Sequence, residues 1–394
     1  MKVIKVISGI MASALLFSSI AYHRDSIVSD IPMTAGATDE DEYTSGTYET
    51  LTYIKYSDHI EISDCDQTAE TIVIPDMIED LPVTSIGAFA FGKYTNLKSI
   101  TIPDSVTNIG NGAFASCRSL TSIILPDSIT SINDSTFLDC KNLASITIPN
   151  GVTSIDNEAF SACTNLMSIT IPDSVTSIGK SAFHGCILLT SIKIPDSVTN
   201  IGYCAFRDCT SLTSVAIPDS VINIGEYTFC NCTSLKSITI PNSITSISGY
   251  LFQNCASLTT VTIPDSVTSI DYSAFRDCTS LMSVTIKNPD CKIYDSEYTI
   301  NNGTICGYNN STAQAYAEKY GYTFKNLGTY EETEYKTGDI NTDGEVDIAD
   351  LVLLSRHILA ESALTTEQCE RADLIWDNRI DVFDIIELRK LVTQ

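Results

Sequence analysis

The central part of the chain repeats itself every 23 residues, and this feature constrains the fold more than any other. Isoleucine followed by proline recurs at that interval, with leucine in one unit: Ile102, Leu125, Ile148, Ile171, Ile194, Ile217, Ile240 and Ile263. Phenylalanine keeps the same step: Phe91, Phe114, Phe137, Phe160, Phe183, Phe206, Phe229, Phe252 and Phe275. A fixed period of this length is typical of a solenoid, in which each coil packs only against its neighbours.

One repeat has the form LTSITIPDSVTSIGxxAFxxCxS. The alternating, β-branched Leu-x-x-Ile-x-Ile segment predicts a strand, and Pro-Asp predicts a turn after it. Val-x-x-Ile-Gly supplies a second apolar segment, and Ala-Phe-x-x-Cys packs on the far side. A single unit cannot bury these side chains, but stacked units form continuous apolar ladders. The predicted fold is therefore a mainly β solenoid with a 23-residue period.

The repeated pattern IPDSVTSIG, AF and C resembles the BspA-type leucine-rich repeat, which occurs in surface proteins of bacteria and some protists. The resemblance covers residues 50–290. The first unit, at Ile74-Pro75, lies 28 residues before the next marker, which predicts an atypical N-terminal cap. The predicted order is a leader at 1–37, an N-terminal cap at 38–73, the solenoid at 74–286, a C-terminal cap at 287–328 with a short helix from Ser311 to Lys319, a linker at 329–337 and a second module at 338–394.

One cysteine per repeat forms what we call the cysteine row: Cys117, Cys140, Cys163, Cys186, Cys209, Cys232, Cys255 and Cys278. It follows the buried phenylalanine by three residues, and no histidine row accompanies it. A buried apolar ladder is therefore favoured over a metal site or a chain of disulfides. Cys204, Cys230, Cys291 and Cys306 lie off the row, and the sequence does not identify a bridging pair among them.

The aspartates after the prolines also form a row, which is explained by turn chemistry: Asp104, Asp127, Asp173, Asp196, Asp219 and Asp265. A catalytic acid–base pair would need two different environments, and no repeat breaks the pattern in that way. The sequence has no Ser-His-Asp motif, no glycine-rich phosphate loop and only four histidines. These observations predict a protein without catalytic activity.

The outward positions of the strand segment are mostly Ser and Thr, and we call them the hydroxyl row: Ser99, Thr101, Ser122, Ser145, Thr147, Ser168, Thr170, Ser237, Thr239, Thr260 and Thr262. Such a surface could bind a protein or a glycan, although it lacks the aromatic platforms that sugars use. The alternative is an ordinary polar sheet face.

Charge and the N-terminus predict where the protein works. With 49 acidic and 23 basic residues the formal charge is −26, which excludes nucleic acid as a partner. Lys2 and Lys5 precede an apolar stretch over residues 6–21, which predicts a secretory signal cleaved near Ala21 or Ala37. An uncleaved anchor is the alternative. After signal removal no membrane attachment is expected, so the prediction is a secreted, extracellular protein.

A twelve-residue loop with the order of oxygen ligands that calcium prefers begins at Asp339. Asp339, Asn341 and Asp343 stand at positions 1, 3 and 5, and Gly344 at position 6 permits a sharp turn. Three further ligands complete the predicted site: the backbone carbonyl of Glu345 at position 7, Asp347 through water at position 9, and Asp350 at position 12. Val346 anchors the loop to the core, and a helix is predicted over residues 348–359.

A second loop starts 34 residues later. Asp373, Asp377, Asp381 and Asp384 occupy positions 1, 5, 9 and 12, and Arg379 stands at position 7. Ile375 replaces an oxygen ligand at position 3, and Asn378 replaces glycine at position 6. We therefore expect one strong Ca²⁺ site and one weaker site. A second helix is predicted over residues 382–392.

Two such loop–helix copies within residues 338–394 resemble a type I dockerin. The resemblance implies that the partner is a cohesin domain of a scaffold protein. It also implies contact positions at Ile348, Ala349, Ser355 and Arg356 in the first copy, and at Val382, Phe383, Arg389 and Lys390 in the second. The two sets differ in chemistry, which predicts one dominant binding face. The alternative is a structural calcium domain without a partner.

Together these features predict a secreted, non-catalytic repeat protein attached through a calcium-dependent dockerin to cohesin scaffolds of a cellulosome-like, polysaccharide-degrading assembly. Two alternatives stay open. The repeats could be an adhesin for host or plant material, or they could contain an unrecognised glycan-degrading site.

Overall fold

The computed structural model describes residues 43–328, 338–341, 343, 345–359, 364, 366–374 and 380–393. The chain divides into two compact units, the first ending at Gly328 and the second beginning at Thr329. The predicted leader at 1–37 and the predicted linker at 329–337 lie outside the described residues, and the proposed domain bounds stay predictions.

The predicted solenoid is confirmed, with about twelve turns. One row of short strands follows the Leu-x-x-Ile-x-Ile segments of the repeats, with one strand before them and two after them: β4 (Thr71–Val73), β7 (Ser99–Thr101), β10 (Ser145–Thr147), β12 (Ser168–Thr170), β14 (Ser191–Lys193), β16 (Ser214–Ala216), β18 (Ser237–Ile238), β20 (Thr260–Ile263), β22 (Ser283–Ile286), β24 (Thr304–Gly307) and β25 (Phe324–Asn326). Pairing is parallel in this row, for example Ile146 with Ile169, one repeat apart. In the coil between β7 and β10, a single bridge from Ile124 to Thr147 takes the place of a strand.

A second row of strands lies where the sequence indicated only an apolar segment. Its members are β6 (Leu81–Ile86), β8 (Asn108–Ile109), β9 (Ser131–Ile132), β11 (Ser154–Ile155), β13 (Ser177–Ile178), β15 (Asn200–Ile201), β17 (Asn223–Ile224), β19 (Ser246–Ile247), β21 (Ser269–Ile270) and β23 (Lys292–Ile293). Parallel pairs again join equivalent residues, such as Ile155 with Ile178. Most of these strands have two residues, so alternation in the sequence could not reveal them.

The first coils are covered by antiparallel strands. β1 (Thr44–Tyr48) pairs with β2 (Leu51–Lys55), and β2 pairs with β3 (Ile60–Cys65). The inserted residues of the first unit form a tight hairpin between β5 (Met77–Ile78) and β6. Both of its turn residues, Glu79 and Asp80, have positive φ values of 50° and 62°, as a type I′ turn requires.

In each coil the chain forms a turn around its phenylalanine, whose side chain is fully buried. Ser181 and Gly185, two residues to either side of Phe183, have positive φ values of 53° and 69°. This conformation directs the N–H of Phe183 to the carbonyl of Ala205 in the next coil, at 2.8 Å. The nine rings stack face to face at centroid distances between 5.3 and 5.8 Å, which forms the centre of the core.

At the C-terminal end of the first unit the predicted helix forms as α1 (Thr312–Tyr320). Ser311 caps it by accepting the N–H of Gln314, and Gly321 ends it in the left-handed conformation. Its buried side chains, Ala313, Tyr316 and Ala317, belong to the core of the solenoid.

The described residues of the C-terminal unit form the two predicted helices and one that was not predicted. They are α2 (Ile348–Ile358), α3 (Thr366–Ala372) and α4 (Val382–Val392). Leu354 of α2, Ala372 of α3 and Leu388 of α4 are buried together, and Val346 and Ile380 pack against them as the loop pattern predicts. The sequence TEQCERA has no apolar periodicity, so α3 carried no signal.

Candidate calcium loops and docking surface

Backbone hydrogen bonds to side-chain oxygens order the first loop. The N–H of Asp343 donates to Asp339 Oδ1 (3.1 Å) and to Asn341 Oδ1 (2.9 Å). Asp343 Oδ1 in turn accepts the N–H of Glu345 at 2.9 Å. These contacts link positions 1, 3, 5 and 7, which are the predicted ligand positions, through consecutive tight turns.

The carboxylate at position 12 closes the loop from inside the module. Asp350 is fully buried. Its Oδ1 accepts the N–H groups of Ile340 (2.7 Å) and Asn341 (2.8 Å), and its Oδ2 accepts that of Asp347 (2.9 Å). A carboxylate offers about four lone-pair directions, so Asp350 keeps acceptor capacity for a cation. Asp347, predicted to bind through water, also caps α2 by accepting the N–H of Ala349 at 2.7 Å.

The second loop repeats the closing contacts. Asp384 is fully buried, with Oδ1 accepting the N–H of Leu374 (2.8 Å) and Oδ2 accepting that of Asp381 (2.9 Å). Asp381 caps α4 by accepting the N–H of Phe383 at 2.7 Å. Asp377 and Arg379 lie outside the described residues, so the two ends of this loop are described and its centre is not.

The residues of the first loop fit calcium in the kind of atom they offer. They supply hard oxygen donors, and they bury Asp339 and Asp350 at 3% and 0% exposure. Buried carboxylates are costly without a cation or hydrogen bonds. In the described part of the chain, no three His, Cys, Asp or Glu side chains are grouped to hold a metal ion by themselves. The predicted set differs from such a group because it also includes the amide oxygen of Asn341 and the carbonyl of Glu345.

Arg371 on α3 is a loop residue that the sequence analysis missed. Its Nη1 lies 3.8 Å from Asp339 Oδ2 and 3.3 Å from the carbonyl oxygen of Asp339. Its own carbonyl accepts the N–H of Gly338 at 2.9 Å. The guanidinium therefore offsets part of the negative charge of the first loop and joins α3 to the loop entrance. No local pattern in the sequence could have placed this half-buried arginine beside the acidic loop.

The predicted docking residues lie on the surfaces of α2 and α4, which pack against each other. Large apolar side chains are exposed on both helices: Ile348 (68%), Val382 (54%) and Phe383 (59%). Val352 (44%) and Ile386 (46%) extend this exposure one turn along each helix. They follow Ile348 and Val382 by four residues and so share their faces. The sequence analysis missed these two, although the four-residue spacing could have indicated them.

The other predicted contact positions are polar or small. Ala349, Arg356, Arg389 and Lys390 are exposed. Ser355 is half-buried, and its hydroxyl donates to the carbonyl of Leu351 at 2.7 Å. The first copy therefore offers fewer polar groups than the second, where Lys390 also pairs with Glu387.

The hydroxyl row forms as predicted, with alternating exposed hydroxyls and buried apolar residues along the strands. A shallow depression of about 350 Å³ lies on it. Ser237, Thr260, Thr262 and Lys287 are among its lining residues. This surface can hydrogen-bond a ligand, but nothing in it selects one chemistry.

The cysteine row is a packing feature. All fourteen cysteines are described, and none forms a disulfide. Each thiol of the row donates to the carbonyl of the phenylalanine in the preceding coil, as Cys186 Sγ does to Phe160 at 3.3 Å. Burial raises the pKa of Cys117 to about 12, which keeps the thiol protonated.

The turns after the prolines form, with the N–H of Val175 donating to the carbonyl of Pro172 at 3.1 Å. A hydrogen bond between coils, which the sequence analysis did not address, also forms there. Ser197, which follows Asp196, donates to the carbonyl of Val175 at 2.6 Å. The serine at this position therefore joins its turn to the preceding coil, except in the unit where Gly151 takes its place.

Contrary to the sequence analysis, a serine, a histidine and an aspartate do meet. Ser161 Oγ lies 3.4 Å from His184 Nδ1, and His184 Nε2 lies 3.1 Å from Asp208 Oδ2. Ser161 is only 6% exposed, so little of this serine is open to solvent. Asp208 is shared with Arg207 and Asn231. We interpret the group as a polar contact between coils. It could have been found by aligning the repeats, because the residues lie 23 and 24 positions apart.

Comparison with known families agrees with both parts of this architecture. Residues 84–213 and 201–302 match the BspA type leucine rich repeat region in six copies, and residues 337–393 match the dockerin type I domain. The chain belongs to the BspA-type leucine-rich repeat family and ends in a type I dockerin domain. Neither matched family model describes an enzymatic domain.

Solved structures with similar chains are bacterial leucine-rich repeat proteins. A leucine-rich repeat protein from Bacteroides ovatus is 29% identical, with a TM-score of 0.59, over 69% of this chain and 71% of that one. A leucine rich cell surface protein from Faecalibacterium prausnitzii is 27% identical, with a TM-score of 0.38, over 71% of this chain and 98% of that one. Among curated proteins no sequence matches this chain. In the described part of the chain, no helix has the length and apolar character needed to cross a bilayer.

Proposed function

We propose that this protein is a secreted, non-catalytic component that attaches through its dockerin to a cohesin domain in the presence of Ca²⁺. The observation that carries the proposal is the pair of loop–helix copies in which a buried aspartate closes each loop beside exposed apolar residues. Folding of the loops would fix the first turns of α2 and α4, where Ile348 and Phe383 are exposed.

Calcium would be held mainly by the first loop, through Asp339, Asn341, Asp343, the carbonyl of Glu345, Asp347 and Asp350. When bound, the ion supplies positive charge that offsets the loop carboxylates and fixes their positions. The second loop has a buried Asp384 but lacks an oxygen ligand at position 3. We therefore propose that it binds calcium more weakly and that the scaffold contacts one face more than the other.

A binding experiment with cohesins tests this function. The full chain is passed over an immobilised panel of type I cohesin domains with calcium or with chelator. Calcium-dependent retention by at least one cohesin is expected. Ile348→Asp together with Phe383→Asp should abolish retention, because buried unpaired charge at an interface is costly. Ile124→Asp is the matched control, because Ile124 is 84% exposed on the repeats. Retention that survives the double substitution, or that ignores chelator, would contradict the proposal.

The cellulosome-like setting follows from the same partner. A scaffold that carries cohesins would place the repeats beside polysaccharide-degrading enzymes, where this chain would contribute binding rather than catalysis. Assaying the full chain on polysaccharides for released sugar tests the last point, and robust turnover would show that the repeats contain a catalytic site.

A further inference from the structure

Five tyrosines form a continuous aromatic row along the last coils of the solenoid. This tyrosine row consists of Tyr203, Tyr227, Tyr250, Tyr272 and Tyr294. Successive ring centroids lie 5.6, 4.4, 4.6 and 5.7 Å apart. At a rise of about 4.8 Å per coil, the row extends over about 19 Å. It lies after the second row of strands and is therefore distinct from the hydroxyl row.

The fold does not require aromatic residues at these places. The tyrosines stand two or three residues before the buried phenylalanine of their coil, or at the corresponding place in the C-terminal cap. The coil of Phe91 carries Phe89 two residues before it, but the four coils that follow build the same turn with polar or small residues. These are Asn111, Asp134, Asn157 and Lys180 three residues before the phenylalanine, and Gly112, Ser135, Glu158 and Ser181 two residues before it. The tyrosines are a departure from a repeat that closes without them.

The rings are not all packed face to face as the phenylalanines are. Tyr227 and Tyr250 stack at 20°, whereas Tyr272 stands at 85° to Tyr250. The Tyr272 ring lies over Gly249, where a Cβ would come within 3.0 Å of it. Tyr272 therefore contacts the preceding coil, and Tyr227, Tyr250 and Tyr272 are half-buried. Tyr203 and Tyr294, at the two ends of the row, are 41% and 52% exposed.

Charged groups of both signs accompany the rings. The ammonium of Lys180 and the guanidinium of Arg207 each lie 5.6 Å from a ring centroid, over Tyr203 and Tyr227 respectively. Glu226 directly precedes Tyr227 in the chain, so a carboxylate accompanies the row. Burial, and then the negative charge of Glu226, raise the pKa of Tyr272. The surface thus combines apolar ring area with hydrogen-bond donors and acceptors.

We propose that the tyrosine row binds a neutral glycan chain lying along the solenoid axis. The C–H face of a sugar ring stacks on an aromatic face, and its hydroxyls can bond the phenols and the nearby charged groups. The carboxylate of Glu226 and the net charge of −26 disfavour an acidic polysaccharide. A proline-rich peptide also docks on aromatic rings. It lacks N–H donors at its prolines, however, and would leave the carboxylate without hydrogen-bond partners.

The test uses the full chain without cohesin. Binding to xyloglucan, galactomannan and amylose is measured by affinity electrophoresis and calorimetry, with polygalacturonate as the charged comparison. The variant Tyr203→Asn/Tyr272→Asn places there the residue that earlier coils carry, so it should fold normally. It should bind about tenfold more weakly, equivalent to ~1.4 kcal/mol. Tyr48→Ser, at a 40% exposed tyrosine of β1, should bind unchanged.

Three results would overturn the proposal. The first is that none of the neutral glycans binds. The second is that the double variant binds as well as the parent. The third is that a proline-rich peptide binds through the tyrosine row while the glycans do not. Circular dichroism and the thermal unfolding midpoint of the double variant should match those of the parent. Because no cohesin takes part, failure here leaves the docking proposal intact.

Discussion

Replacing one ring in the phenylalanine ladder should weaken the solenoid by a predictable amount. Phe183 is fully buried and stacks on Phe160 at 5.4 Å and on Phe206 at 5.3 Å. Burial of the side chain contributes about 1.5–3 kcal/mol, and each aromatic pair adds about 0.5–1.5 kcal/mol. Phe183→Ala should therefore cost about 3–5 kcal/mol, the usual range for such a core substitution.

Urea unfolding of the full chain, followed by far-UV circular dichroism at constant calcium, measures this loss. With a slope of about 2–3 kcal/mol/M, the midpoint of the solenoid transition should fall by about 1–2 M. Phe89→Ala is the matched control, because Phe89 is 62% exposed and lies outside the ladder. Its effect should stay below about 1 kcal/mol. Equal losses for the two variants would refute the claim that the stacked rings form the core.

Three further predictions concern the thiols and the loops. In the native chain, alkylation should modify Cys369 first, because the other thirteen cysteines are buried and Cys369 is only half-buried. Labelling followed by mass spectrometry checks this order, and rapid labelling of the cysteine row would contradict it. The pKa of Cys117 is about 12 in the folded chain and near 9 in the unfolded chain. The stability that this thiol contributes is therefore complete below about pH 9 and should fall as pH rises toward 12. Urea midpoints across that range should show the decline, and Cys117→Ala should reduce it. Asp350→Asn should weaken calcium-dependent cohesin binding more than Asp384→Asn does, because only the first loop has an oxygen at every predicted ligand position. Calorimetry with a binding cohesin compares the two variants, and the reverse order would show that the second loop dominates.

Much of the first unit could be predicted because the same pattern of apolar and turn residues recurs in every repeat. The 23-residue step located the strand row and the buried ladders, and the amphipathic pattern of residues 311–319 located α1, which caps the end of the solenoid. The second strand row escaped because two residues show no alternation. The tyrosine row escaped because its members shift between two positions of the repeat, so no single column of the repeat contains them all.

The C-terminal unit could be predicted from its ligand positions rather than from a repeat. The order of oxygen ligands located both loops and both long helices, because calcium chemistry restricts residue types at fixed positions. α3 and Arg371 were missed, since their contacts with Asp339 connect residues 32 positions apart. Val352 and Ile386 were missed because the contact positions implied by the family resemblance did not include them.

Calcium titration of the full chain tests the central claim most directly. Trp376, the only tryptophan, stands at position 4 of the second loop, so its fluorescence reports on the C-terminal unit alone. Unfolding followed by this signal should show stabilisation of about 2.7 kcal/mol when free calcium is 100 times its dissociation constant. Asp350→Asn should remove most of that gain. An unfolding midpoint that is the same with calcium and with chelator would contradict a calcium-loaded docking module.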